Sequence, residues 1–380
     1  FITEQVQRNE IEIIRGRVSF VDPTRLSVEH PNGAVEEIGA HHTIIATGSE
    51  PRRPDDIPVD HEFIYDSDSI LSLAYLPKSL VVLGGGVIAC EYASIFAIMG
   101  VEVTIIDRYE APLGFLDPDL TRRFVHYFEG YGGRFIGGAT VESMGFDGIS
   151  SVETRLGDGT LITSEKALCA LGRISRIKGL QIENAGVEVS DRDLIVVNDH
   201  GQTCIPNIYA VGDVIGPPSL ASASMEQGRR AARHLLGYET QNVRESIPTG
   251  IYAVPELACV GMTEAQVEEE YGMAIVGQSD FREIARSHIA RKQSGLLKLV
   301  ASPDGVVRGV HICAEHATDL VHIGQMGLIH GSTVTTYIDN IFNFPTYAES
   351  YRVAAIEAMS KLQALGAPQR SDAPESRPTH

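Results

Sequence analysis

The sequence predicts an α/β chain, a parallel sheet covered by helices, followed by a separate α+β domain. Three observations carry this reading. Across residues 80–236, apolar runs of strand length alternate with helical patterns and Gly-rich turns, which is how a parallel sheet with covering helices reads. A glycine cluster at Gly84, Gly85 and Gly86 joins one such run directly to a helical pattern. From residue 247 the texture changes: residues 296–300 and 306–312 flank Asp304-Gly305 like a hairpin, and helical stretches fall at 263–271, 317–330 and 350–362.

The remaining segments follow in order. Residues 11–46 hold short β-rich runs broken at Asp22-Pro23 and Asn32-Gly33, ending in Thr43-Ile44-Ile45-Ala46 and then Thr47-Gly48. After Leu365 the run of Pro, Ser, Asp, Arg and His lacks apolar residues and predicts a disordered tail. No repeat of solenoid period is present.

Length and charge restrict function. A chain of 380 residues suggests two to three domains at about 150 residues each. With 31 basic and 50 acidic residues the formal charge is -19, which repels phosphate backbones and anionic lipid heads, so no nucleic acid and no membrane partner is expected. Hydrophobic residues at 43% against 21% charged describe an ordinary globular protein. The five cysteines, Cys90, Cys169, Cys204, Cys259 and Cys313, are scattered without a CxxC pair and read as reduced thiols of a cytoplasmic protein. The polar opening Phe1-Ile2-Thr3-Glu4-Gln5 reads neither as a signal segment nor as a native start.

The first stretch with chemistry in it is the run Ser79 to Ala89, a buried-type strand followed by Gly84-x-Gly86-x-x-Ala89 and an apolar helix. Gly84 permits the sharp turn, Gly86 lets the backbone approach a pyrophosphate, and Ala89 is small enough for helix to lie on strand. The helix N-terminus offers free N–H groups and a positive dipole end to phosphates. A second strand ends in Asp107, 23 residues after Gly84, where a carboxylate reaches an adenosine ribose. Asp107 favours NAD; the adjacent Arg108 either pairs with a 2'-phosphate or is a solvated charge. A second stretch, Asn207 to Asp213, is a short strand ending in Gly212-Asp213 and leading into a helix near Ala221. Asp213 there either binds a polyol at the strand end or caps a turn.

Together with Ile44 to Ser49, and with Asn343-Phe344-Pro345-Thr346-Tyr347-Ala348-Glu349, these motifs resemble the flavoprotein pyridine nucleotide-disulfide oxidoreductases, the group of dihydrolipoamide dehydrogenase and glutathione reductase. The resemblance covers about residues 1–365. It implies two Rossmann-like FAD/NAD(P)-binding domains, the FAD domain incomplete, with a C-terminal α+β dimerisation domain. The implied division is 1–70 for the remainder of the FAD domain, 71–172 for the NAD(P) domain, 173–245 for the return of the FAD domain, 246–365 for dimerisation, and 366–380 for the tail. FAD is then held by Thr47 and Gly48 with Gly212, Asp213 and the helix from Ala221, and NAD or NADP by Gly84, Gly86, Ala89, Asp107 and Arg108. Glu91 matches the family carboxylate beside the nicotinamide, which pairs with a lysine of the N-terminal FAD region; otherwise it is an exposed first-turn carboxylate. A homodimer or higher homo-oligomer is implied.

Two departures from the family pattern bear on activity. Residues before Thr47 are too strand-rich and glycine-poor to supply the first FAD glycine loop and its redox dithiol helix, so the chain is expected to start downstream of them. Disulfide reductases close with a His-Pro-Thr element oriented by a Glu; here Phe344 stands at the histidine position, ahead of Pro345-Thr346, with Glu349 retained. Phenylalanine transfers no proton, and such a group is typically worth about 100-fold to 10,000-fold in rate. Dithiol chemistry is therefore not expected, and the activity the resemblance then implies is hydride transfer between NADPH and NAD through flavin N5, ping-pong and of the Si-specific type. The alternatives are a dihydrolipoamide dehydrogenase-like disulfide reductase and a non-catalytic nucleotide-binding or dimerisation fragment. Among the histidines, His311, His316, His322 and His330 lack zinc-site spacing, and no metal is expected. Arg173 is assigned no chemistry.

Overall fold

The computed structural model describes residues 2–239 and 246–366, so the expected tail beyond Gly366 lies outside the described residues. The chain forms two compact units, one of residues 1–50 with 173–243, the other of 51–172 with 244–380.

In the first unit, strands Arg17–Asp22, Arg25–Glu29 and Val35–Gly39 form an antiparallel sheet. The turns fall where the sequence places them: the Asp22 carboxylate accepts from the Thr24 N–H at 2.8 Å, and the Asn32 side chain accepts from the Ala34 N–H at 3.0 Å. The apolar strand Thr43–Ile45 pairs in parallel with Ile208–Ala210. Ile45, Ile208 and Ala210 join Phe20, Ile182 and Val214 in one core. The helix Ala221–Leu235 buries Ala231 against Tyr209 and Val211, and its last turn carries Arg233 and His234, the charge pattern that suits a helix C-terminus.

The second unit contains a five-stranded parallel sheet in the spatial order Ile64–Asp66, Lys166–Cys169, Ser79–Leu83, Glu102–Ile106 and Arg134–Ile136. Leu80, Val81, Val82 and Leu83 are all buried, as a central strand covered on both faces requires. Helices Val87–Ile98 and Pro118–Gly130 supply cover.

Residues 141–164 depart from the expected alternation of strands and helices. They form an antiparallel sheet of Val141–Phe146, Val152–Leu156 and Leu161–Ser164. The reason is local: Val152, Thr154 and Leu156 are buried while Glu153 and Arg155 are exposed, a period of two. Asp147 closes the first turn by accepting N–H bonds from Ile149, Ser150 and Ser151.

The C-terminal part of this unit is a five-stranded antiparallel sheet in the order Thr249–Ile251, Leu257–Gly261, Val307–Ala314, Gly295–Ala301 and Ile275–Asp280. The expected hairpin at Asp304-Gly305 is present, and the expected helices are Glu264–Tyr271, Ala317–Ile329 and Glu349–Ala364. Thr263 and Gln266 close a capping box on the first of these.

A buried ion cluster joins the helix Pro118–Gly130 to this sheet. Asp117 caps the helix by accepting from the Asp119 N–H at 3.0 Å. The Lys298 ammonium donates to Asp117 at 2.8 Å, to Asp119 at 2.6 Å and to Glu264, and the Lys298 and Asp117 side chains are 1% and 0% exposed. At the helix's next turn Arg123 pairs with Asp280 at 3.3 Å. Among the described residues no helix is long and apolar enough to cross a membrane, and no three His, Cys, Asp or Glu side chains gather as a metal ion would need.

Candidate functional site

The Gly84–Ala89 loop sits at the carboxyl end of the central strand Ser79–Leu83 of the parallel sheet. Gly84 has φ +102°, its N–H donates to the Ile106 carbonyl at 2.8 Å, and a Cβ on it would stand 2.6 Å from the Ala170 carbonyl oxygen. Both the turn and the close approach require glycine. Gly86 is the N-cap of the helix Val87–Ile98 and has nothing within 4 Å of the place where a Cβ would sit, so the approach to the helix N-terminus is open. Ala89 is completely buried.

Asp107 follows the neighbouring strand Glu102–Ile106, and its backbone is fixed on both sides: its N–H donates to the Ile136 carbonyl at 3.0 Å and its carbonyl accepts from the Ala139 N–H at 2.9 Å. Arg108 donates to the Tyr109 hydroxyl at 2.7 Å, with its guanidinium carbon 4.7 Å from the centre of that ring. The loop and the Asp107 carboxylate thus follow adjacent parallel strands, an arrangement that suits a dinucleotide.

Glu91 is neither exposed nor in the first turn, which removes the simpler of its two expected readings. It is half-buried, and its carboxylate accepts from the Tyr252 N–H at 2.8 Å. Burial pushes the Glu91 carboxyl above the ordinary range, against the opposing pull of that N–H. Three residues on, the Ser94 hydroxyl accepts from the Val254 N–H at 3.0 Å, so this helix and the segment 252–254 are tied twice.

The second constellation lies in the other unit. Thr47 and Gly48 follow the strand Thr43–Ile45, and Gly212 and Asp213 follow its parallel partner Ile208–Ala210. The Asp213 carboxylate accepts from the Ser49 hydroxyl at 2.7 Å, and Arg173 donates to the same hydroxyl at 2.8 Å and to the Ser49 carbonyl at 2.9 Å. The Gly212 N–H donates to the Gln227 side chain at 2.8 Å. Ala221 opens the helix Ala221–Leu235, whose N-cap Leu220 brings no side-chain cap. The Thr47 hydroxyl is buried without a hydrogen-bond partner among the described residues, a polar atom left for a ligand to satisfy. A carboxylate and a spare hydroxyl fit the ribitol of FAD, and an uncapped helix N-terminus offers its positive end to a flavin ring that carries negative charge.

Gln227 and Tyr252 make contacts here that sequence reasoning did not single out, and Ser49, Arg173 and Gly85, which it names, carry no role in it. Ser49 adjoins the Thr47-Gly48 motif and Arg173 follows Gly172, yet the two are 124 positions apart and only the fold pairs them. Tyr252 acts through its backbone, which no side-chain pattern signals. At the C-terminal motif, Phe344 is 68% exposed and the Glu349 carboxylate accepts from the Thr346 N–H at 3.2 Å. His311 is buried with its Nε2 2.8 Å from the Met262 carbonyl, and burial pushes its pKa down; His316, His322 and His330 lie along or cap the helix Ala317–Ile329.

The family profile of the pyridine nucleotide-disulphide oxidoreductases matches residues 2–228, and the profile of their dimerisation domain matches residues 247–355. A soluble pyridine nucleotide transhydrogenase of Mycobacterium bovis (strain BCG / Pasteur 1173P2) is 39% identical over 366 residues, 96% of this chain and 78% of that protein. One of Colwellia psychrerythraea is 39% identical over 360 residues, 93% and 77% of the two. Among solved structures, the HOCl-induced flavoprotein disulfide reductase RclA from Escherichia coli superposes with a TM-score of 0.85 at 28% identity, covering 91% of this chain and 79% of that one. LpdA from Mycobacterium tuberculosis does so with a TM-score of 0.87 at 26% identity, covering 93% and 79%.

Proposed function

The chain belongs to the pyridine nucleotide-disulphide oxidoreductases, and from that membership we propose that it exchanges hydride between NADPH and NAD as a soluble transhydrogenase. The family makes it a FAD-dependent pyridine nucleotide oxidoreductase; the choice of reaction within the family rests on Phe344. An exposed phenyl ring stands where a dithiol enzyme of this group needs its imidazole, and Glu349 holds a backbone N–H instead of a proton relay. The likeness to RclA, a flavoprotein disulfide reductase, favours disulfide reduction as a second reading, and that reading has no proton carrier at this place.

In the proposed reaction NADPH and NAD use one groove in turn, in two half-reactions, in a cytoplasmic homodimer of the Si-specific type. FAD, when bound, supplies the hydride acceptor and donor between them. The protein binds and orients. Gly84, Gly86 and Ala89 shape the loop and helix N-terminus that hold the pyrophosphate, Asp107 accepts from the ribose hydroxyls of NAD, and Arg108 is the cation for the 2'-phosphate of NADPH. Glu91, fixed by the Tyr252 N–H, positions the nicotinamide end. On the flavin side Thr47, Gly48, Gly212 and Asp213 hold the ribitol, and the helix starting at Ala221 presents its positive end.

Initial-rate lines for NADPH and an NAD analogue, measured with FAD-saturated protein, are expected to run parallel; intersecting lines would rule out one shared groove. Glu91→Ala is expected to lower kcat/KM for both nucleotides by about tenfold, the worth of one hydrogen bond to a charged group, with flavin absorbance unchanged. Glu91→Gln, which still accepts from Tyr252, should recover part of that loss. Flavin lost together with activity would assign Glu91 a structural role instead.

A further inference from the structure

We propose that Gly85, the middle residue of the glycine loop, sets nucleotide selectivity by providing the seat for the Asp107 carboxylate; this deepens the reading of Asp107 as the ribose acceptor and rests on it. A Cβ built on Gly85 overlaps Asp107 Oδ2 and stands 3.0 Å from Asp107 Cγ and 3.2 Å from Pro112 Cα. The carboxylate thus occupies the volume that any other residue would fill with its first side-chain carbon. Conformation is not what requires glycine here, because Gly85 lies outside the left-handed region that Gly84 adopts.

The surroundings determine what moves when that volume is filled. The backbone of Asp107 is pinned through its N–H to Ile136 and its carbonyl to Ala139, and the Gly85 carbonyl is pinned by the Leu113 N–H at 2.8 Å. On its far side the carboxylate lies 3.4 Å from the Tyr109 N–H, which donates to Oδ1. With both backbones held, the soft coordinate is the Asp107 side-chain torsion. A methyl group at position 85 turns the carboxylate away from the loop and off the position from which it accepts from ribose hydroxyls. The 2'-phosphate of NADPH gains nothing from that carboxylate and is repelled by it. Gly85→Ala therefore selects against NADH while leaving the phosphate-binding turn at Gly84 and Gly86 intact.

Binding of NADH and of NADPH to the full chain is followed by nicotinamide fluorescence for the wild type, Gly85→Ala, Asp107→Ala and the double variant. Gly85→Ala is expected to raise the Kd for NADH about tenfold, the loss of hydrogen bonds to a charged acceptor, and to leave that for NADPH within about twofold or tighten it. In the Asp107→Ala background the glycine substitution should change neither, since residues acting through one contact are not additive. Equal weakening of both nucleotides, no change in either, or full additivity in the double variant would each overturn the proposal. If Gly85→Ala unfolds, melting temperatures take over: the double variant must melt with Asp107→Ala alone, and one that melts as low as Gly85→Ala shows that the carboxylate is not what fills the space. Wild-type protein that binds neither nucleotide refutes the proposed function, and this inference with it.

Discussion

Replacing Lys298 by methionine is expected to destabilise the protein by about 3–5 kcal/mol, the usual cost of removing one partner from a buried ion pair. Attraction between Lys298 and its carboxylates is not the main source of that figure. Lys298 and Asp117 are almost entirely out of water, so the deletion leaves Asp117 as a buried charge whose nearest cation is gone. Asp117 also caps the helix Pro118–Gly130, so the damage reaches the cover of the parallel sheet. Urea unfolding of wild type, Lys298→Met and the double variant Lys298→Met/Asp117→Asn measures this, and the second substitution should recover at least half the deficit by removing the stranded charge. A loss below about 1 kcal/mol in the single variant would mean that water reaches the cluster.

The sign of the pH dependence follows from the same contacts. Burial opposes ionisation of Asp119, but the Lys298 ammonium and then Arg122 overcome it and hold its pKa below the ordinary value; Arg282 and Arg123 do the same for Asp280. Lowered carboxyl groups contribute stability that is present above their unfolded range and lost as pH falls through the folded values. Lys298 is shifted upward by its three carboxylates in spite of its burial, so its contribution is present below the ordinary lysine range and lost as pH rises through the raised value. Wild-type stability should therefore fall at both ends. The deficit of Lys298→Met should narrow toward acid pH as Asp119, which Lys298 holds in its charged form, becomes protonated.

What could be read in the sequence was whatever depends on short separations. The glycine loop, its strand and its helix lie within twenty residues, so the turn and the helix start followed from pattern: Gly84 turns at φ +102°, Gly86 caps the helix and Ala89 within it is buried. The hairpin at Asp304-Gly305 and the capped helix from Glu264 were legible for the same reason. The antiparallel sheet at 141–164 was missed because turns at Asp147 and at Asp158-Gly159 resemble the turns between strands and helices, and only the alternating burial of Val152, Thr154 and Leu156 separates the two. Glu91 to Tyr252, Lys298 to Asp117, and Arg173 through Ser49 to Asp213 span 161, 181 and 164 positions at their longest links. Contacts of that range belong to topology, which one sequence does not reveal. Gly85 is different again: its neighbour Asp107 was singled out and the glycine was not, because the loop motif leaves that position open.

Asp213→Ala is expected to weaken FAD binding by about 10- to 150-fold, corresponding to about 1.5–3 kcal/mol for a hydrogen bond to an ionised acceptor. The chain of contacts behind the carboxylate makes the prediction graded. Arg173 holds Ser49 through both its hydroxyl and its carbonyl, and Ser49 in turn donates to one oxygen of Asp213, so the side chain is oriented before any ligand arrives. Ser49→Ala removes that orientation and leaves the acceptor in place, and its cost should be about fivefold, within the range of one neutral hydrogen bond. Arg173→Ala acts one step further out and should cost no more than Ser49→Ala. The ordering Asp213 over Ser49 over Arg173, read by titrating FAD fluorescence with flavin-free protein, separates a polyol-binding carboxylate from a turn cap. A turn cap would lower the melting temperature in all three variants and leave flavin affinity within about twofold. NADH affinity serves as the internal control, because Gly84, Gly86 and Asp107 belong to the other compact unit and should be indifferent to all three substitutions.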